Sequence, residues 1–186
     1  MRPLHIFLTY LCGSFDNREQ LENCKDHPEL PFAVHINTVC NEKIQNLPEY
    51  FDGAFVLEES YYTVGNSTRA MPHLFLFQED STGNIVLTSY GMPKEYTKET
   101  FRFDDSLKLD YHTLEVSTKF QPLTYYLRDG IFVGENSSMF TPVLKFSLSE
   151  KISQEQLEVQ ETMEVQGKRT FGYDVPIIYR RRALDA

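Results

Sequence analysis

The chain has 186 residues, of which 41% are hydrophobic and 13% aromatic, enough for one domain with a substantial core or an enclosed cavity. Its net charge of −9 excludes nucleic acid as a general partner, because phosphate binding needs a surplus of Lys and Arg on one face. No stretch is long and apolar enough to span a membrane as a helix, which excludes that class too.

In MRPLHIFLTYLCGS, Leu4, Phe7, Leu8 and Leu11 recur at helical spacing and predict a packed amphipathic helix. His5, Thr9 and Tyr10 interrupt the apolar run and no small-residue cleavage site follows, which argues against a secretory leader. Gly13 punctuates this helix. Asp16 and Glu19 then form a capping box for a second helix through DNREQLENCK, so that 1–27 reads as a helical segment.

From Phe32 the pattern changes to short β-rich runs: FAVHINTV, AFVLEESYY, HLFLFQ, NIVLTSY, HTLEVSTKF, PLTYYL, GIFVG, PVLKFSL, QLEVQETMEV and KRTFGYDVPIIYR. Asp129-Gly130 is a strong two-residue hairpin signal and Gln166-Gly167 a weaker one, so consecutive strands are expected to be antiparallel neighbours. A meander this long must manage its edges, and closure into an up-and-down barrel removes them. The expectation is a mainly β chain: one domain over 1–186, with about ten antiparallel strands closing a barrel over 32–179 and a sandwich as the competing arrangement. The basic run Arg180-Arg181-Arg182 reads as a solvated terminus.

Barrel strands alternate between lumen and outside. In FAVHINTV, His35 shares a face with Ala33 and Asn37. It is a candidate lumen group, against the plainer reading of an ordinary hydrogen-bonded or exposed histidine. In AFVLEESYY, Val56, Glu58, Ser60 and Tyr62 occupy one face and Phe55, Leu57, Glu59 and Tyr61 the other, so only one of the two acids can face a cavity. A carboxylate there would suit a ligand with N–H donors. Arg69, just past the turn, offers a planar fork of donors to a carboxylate. No GxSxG or HExxH is present, and Cys12, Cys24 and Cys40 have no CxxC spacing. The odd cysteine count fits a reducing compartment better than a disulfide scaffold or a zinc site.

Taken in order, GSFDNREQ, FAVHI, and FVLEESYY followed by Arg69 resemble the T-type phycobiliprotein lyases, the CpcT/CpeT family, and FGYDVPIIYRR resembles their aromatic closing strand. The sharp motifs cover about the first half of the chain. Tyr62 stands where many members have Asp, Ser67-Thr68 replaces a Pro-Tyr, and 130–150 carries no Gly-x-Lys-Cys segment. The resemblance implies a ten-stranded calycin-like (lipocalin-like) barrel that binds a linear tetrapyrrole. The bilin, phycocyanobilin or phycoerythrobilin, is its substrate rather than a resident cofactor, and is delivered to a cysteine of an apo-phycobiliprotein β-subunit. It further implies a catalytic role for Glu58 and ligand-binding roles for Asn17, His35, Tyr61, Tyr62 and Arg69, with Arg69 as a propionate clamp. A homodimer is a family expectation as well, and so is a cytoplasmic location, or the plastid stroma in an alga. The alternative function is a lipocalin-like carrier or sensor of a tetrapyrrole or other apolar molecule, with no transfer step. A third reading is an interaction module whose barrel is filled by its own side chains.

Overall fold

The computed structural model describes residues 2–24 and 26–182. Among them, helices α1 (Pro3–Leu11) and α2 (Arg18–Asn23) accompany thirteen strands. These are β1 (Gly13–Asp16), β2 (Phe32–Val39), β3 (Ile44–Gln45), β4 (Ala54–Val64), β5 (Ser67–Glu79), β6 (Ile85–Tyr90), β7 (Leu109–Asp110), β8 (Leu123–Arg128), β9 (Ile131–Thr141), β10 (Leu144–Ile152), β11 (Gln156–Val165), β12 (Lys168–Phe171) and β13 (Ile177–Arg181). Ten of them close an antiparallel up-and-down barrel in the order β1-β2-β4-β5-β6-β8-β9-β10-β11-β13. β12 extends the wall along β11, and β3 with β7 forms a separate parallel pair. No helix among the described residues is long and apolar enough to cross a membrane.

The hairpins set the register. Asp129 and Gly130 both take positive φ, as do Gln166 and Gly167, the mirror-image turn that matches strand twist; Arg128 then faces Ile131, and Val165 faces Lys168. Between β4 and β5 the turn is Gly65-Asn66, with only Gly65 at positive φ, and this pairs Val64 with Ser67.

Two of the expected elements differ. HTLEVSTKF is not a strand. It belongs to the long segment between β6 and β8 and makes a single bridge, Tyr90 to Val116. That segment places Phe101, Leu107 and Leu109 on Phe55, Leu57, Leu74 and Leu76, building a second core on the outside of β4 and β5, and this packing outweighs local β preference. The tenth barrel strand is instead β1, so the barrel takes in 13–16 as well as the region from Phe32. Correspondingly, the second helix is shorter than expected and begins at Arg18. Asp16 lies in β1, and its Oδ1 accepts from the Arg18 N–H at 3.1 Å.

α1 closes one end of the barrel. Pro3 at its first position costs no intrahelical bond, and Leu4, Phe7 and Leu11 form its buried face. The Phe7 ring centroid lies 5.0 Å from each of Phe77, Tyr125 and Phe132, making an aromatic floor. Fully burying a side chain of this size contributes about 1.5–3 kcal/mol. Gly13, at φ +135, ends the helix where a Cβ would collide with the Arg181 guanidinium.

That guanidinium corrects the reading of 180–182 as a solvated terminus. It donates to the carbonyls of Thr9, Tyr10 and Cys12, capping α1, and stacks 4.5 Å from the Phe15 ring. Arg180 and Arg182 pair with Glu19 and Asp16, each at 3.3 Å. The basic run therefore ties the last strand to both helices.

Candidate functional site

With α1 as its floor, the barrel is a cup. Its wall is interior-facing by alternation: Ala33, His35 and Asn37 on β2; Glu58, Ser60 and Tyr62 on β4; Arg69, Met71, His73 and Phe75 on β5. The register puts Glu58 opposite His73 and Tyr62 opposite Arg69. On the far wall, Leu148 and Glu150 on β10, and Val159, Glu161 and Met163 on β11, face the same lumen, a cavity of about 280 Å³. A second hollow of about 260 Å³ adjoins it and shares Tyr62, Arg69, Met71, Val159, Glu161 and Phe171 with it.

Glu58 is the centre of the polar layer. Its Oε1 accepts from the Ser60 hydroxyl at 3.0 Å, while His73 Nδ1 lies 3.4 Å and His35 Nδ1 3.7 Å away, ion-pair distances rather than tight hydrogen bonds. His35 Nε2 faces the Tyr62 hydroxyl at 3.3 Å, and its ring packs 4.2 Å from that of Tyr179. Deeper, the Tyr125 hydroxyl donates to Glu150. Around the cavity Phe120, Phe140 and Phe146 pack on one another at 5.0–5.4 Å, and Phe120 and Phe146 line it.

The electrostatics separate the three lumen carboxyls. Burial works against the charge on Glu58, yet the histidines and Ser60 outweigh it and hold this carboxyl below the ordinary range, so it is ionised at neutral pH. Burial keeps His35 neutral by pushing its pKa down against the pull of Glu58. On His73 burial acts the same way, but the hydrogen bond and charge of Glu58 outweigh it and the pKa rises, so His73 is the more readily protonated of the two histidines. Burial, with a smaller push from the charge on Glu58, brings Glu150 up to about 8 and Glu161 up to about 7. The lumen thus offers one firm anion and two carboxyls that hold protons near neutrality.

Arg69 is exposed, borders both hollows and has no ion pair among the described residues. Of the residues expected from the sequence, His35, Glu58, Tyr62 and Arg69 come together here. Asn17 and Tyr61 do not. Asn17 is fully buried with both ends of its amide used by backbone: Nδ2 donates to Pro31 O at 2.9 Å and Oδ1 accepts from Ala33 N–H at 2.8 Å. Gln20 likewise bridges Pro176 O and Ile178 N–H. Tyr61 lies on the outer face, its hydroxyl donating to Glu59 at 2.8 Å, and Glu59 also accepts from the Phe103 N–H.

His73, Glu150 and Glu161 were not anticipated. Gly-Asn is a two-residue hairpin signal, and pivoting β4 and β5 on Gly65-Asn66 places His73 opposite Glu58 from sequence alone. In LKFSLSEKI and QLEVQETMEV, Glu150 and Glu161 sit on the apolar face, with Phe146, Leu148 and Ile152 or with Leu157, Val159 and Met163. That alternation is the signal for an acid turned inward.

Chemically, the cup can hold N–H donors at Glu58, a carboxylate at Arg69 and flat apolar groups against its aromatic walls. No cysteine lines either hollow. No group of three His, Cys, Asp or Glu side chains has metal-ligand geometry among the described residues. No family model, curated protein or solved structure matches the chain.

Proposed function

We propose that the barrel binds a linear tetrapyrrole in its lumen and hands it to an acceptor thiol, acting as a phycobiliprotein lyase. The observation that carries this reading is a half-buried, ionised Glu58 and, on the same wall, an exposed Arg69 that makes no ion pair among the described residues. Glu58 suits the row of pyrrole N–H donors, and Arg69 suits a propionate. The two hollows together fall within the usual size of small-molecule sites. Tyr62, Phe75 and Phe171 supply flat or apolar contact for the rings. Asn17 and Tyr61 take no part in this arrangement.

In the transfer step, the acceptor thiol adds across the ethylidene double bond of the terminal ring. A carbon–sulfur bond forms, and the thiol proton ends on the bilin. The chain supplies no covalent nucleophile. Its contribution is to hold the pigment in one conformation, exclude water and keep the reacting carbon accessible. The charge of Glu58 favours a protonated pyrrole system, which makes the exocyclic carbon more electrophilic.

A carrier without a transfer step is the second reading. One experiment separates the two. The purified protein is mixed with phycocyanobilin or phycoerythrobilin and then with an apo β-subunit. A shift in absorption reports binding, and a zinc-fluorescent band in a denaturing gel reports transfer. Shift and band support the lyase, and a shift alone supports the carrier. No shift rejects both.

A further inference from the structure

The barrel wall is incomplete on one side of its open end. β1 pairs only with residues 34–37 of β2 and 180–181 of β13, and β13 begins only at Ile177. β12 ends at Phe171, so 172–176 crosses the gap as a strap outside the ladder. Gly172 makes this crossing possible, at φ +100 and so close to the Glu161 carbonyl that a Cβ would collide with it. The strap is held by Gln160, which donates to the Tyr173 carbonyl at 3.3 Å, and by an Arg169–Asp174 ion pair.

Behind the strap lies the second hollow. Its own walls are Pro31, Val64, Val175 and Ile177 with the neutral polar groups of Ser67, Gln160, Tyr173 and Tyr179, whereas Arg69 and the acid Glu161 stand where it joins the main lumen. The polar groups of the main lumen, His35, Glu58, His73 and Glu150, are absent from its lining. The site is therefore divided into a chamber lined by acids and histidines and one whose own walls carry neither, with a guanidinium at the junction.

We propose that this side chamber is a second subsite, which takes one apolar-substituted terminal ring of a linear tetrapyrrole while the other half of the molecule occupies the polar lumen. The inference rests on the tetrapyrrole reading and fixes how the pigment lies. In such a molecule the two propionates sit on the two middle rings, and the outer rings carry small hydrocarbon groups. The main lumen alone, at about 280 Å³, falls just below the usual size of a small-molecule site. Along β4 the four steps from Glu58 to Tyr62, which faces Arg69, span about 13 Å, on the order of half an extended tetrapyrrole. With one half at Glu58, the middle rings arrive at Arg69 and the far ring enters the side chamber. Both the charge at the junction and the lack of charge beyond it match the ligand.

The test uses two chamber variants from opposite walls, Val175→Trp on the strap and Val64→Trp on the β4 rim. Val64 is 69% exposed, so the second substitution spares the fold. The two probes are biliverdin, which has four rings and two propionates, and a dipyrrinone bearing one propionic acid, which is half of such a molecule. Both variants should weaken biliverdin binding at least about tenfold and leave the dipyrrinone affinity within about twofold, with melting temperatures near wild type. Unchanged biliverdin affinity in folded variants overturns the side-chamber assignment while the tetrapyrrole reading stands. Equal losses for both probes also overturn it, because the half-molecule should not reach the chamber. If the wild-type protein binds neither probe, the tetrapyrrole reading fails and the inference falls with it.

Discussion

Replacing Glu150 with Gln should stabilise this protein at alkaline pH and not at acid pH. Glu150 lies in the lumen wall, hydrogen-bonded by Tyr125, and burial raises its carboxyl from 4.5 to about 8. A carboxyl raised on folding contributes its stability below the unfolded value and loses it as pH rises through the folded one. Between pH 4.5 and 8, therefore, the unfolded chain releases a proton that the folded chain retains, at about 1.4 kcal/mol per pH unit. Over that range the sum is about 5 kcal/mol, and the partial exposure of Glu150 screens the cost by pH 8 down to about 3 kcal/mol. Glu150→Gln keeps the shape and a partner for Tyr125 but carries no titrating proton. Its melting temperature at pH 8 should exceed wild type by about 6–12 °C, from about 2–4 °C per kcal/mol at this chain length. At pH 5 the two proteins should melt within a few degrees of each other, since a neutral hydrogen bond is worth about 1 kcal/mol. Thermal unfolding followed by circular dichroism at both pH values measures the difference. The same gap at pH 5 and pH 8 would refute the assignment of a proton to Glu150.

Three further outcomes follow from the placement of the other residues. Asn17→Ala should cost about 2–4 kcal/mol of stability, because it strands the buried Ala33 N–H and Pro31 carbonyl; in denaturant melts this appears as a lower midpoint, while the affinity of the folded protein for pigment stays unchanged. Glu58→Gln should move the bound bilin to shorter wavelength, as befits a less protonated pigment, and slow any transfer; an identical absorption spectrum and rate would remove Glu58 from the site. Arg69→Gln should weaken binding by about 1.5–3 kcal/mol, on the order of ten- to hundredfold in a titration. Its melting temperature without ligand should barely move, as Arg69 is exposed and makes no ion pair among the described residues.

Much of the barrel was legible because local signals and the global fold agree along most strands. The Asp129-Gly130 and Gln166-Gly167 turns form where their backbone preferences place them, and the alternation in AFVLEESYY puts Glu58 inside and Glu59 outside. The failures have physical reasons. GSFD is four residues long, too short for a period, and becomes a strand only because its neighbours β2 and β13 leave a gap of that width. HTLEVSTKF has strand-like composition, but the segment containing it is held by contacts of Phe101, Leu107 and Leu109 that no local pattern reports. Asn17 illustrates a different limit: a polar residue in a recognisable motif has the same letter whether it binds a ligand or satisfies two buried backbone groups. The arginines at 180–182 are the same case at the other end of the chain, since a helix C-terminus 170 residues away in sequence cannot be read from a basic run.

The central claim is that the lumen holds a linear tetrapyrrole, and an absorption titration with phycocyanobilin at neutral pH tests it most directly. The account predicts saturable, one-to-one binding, with the long-wavelength band intensified and moved to the red as Glu58 favours the protonated, extended pigment. A pigment spectrum that stays that of the free molecule in an excess of folded protein would contradict it.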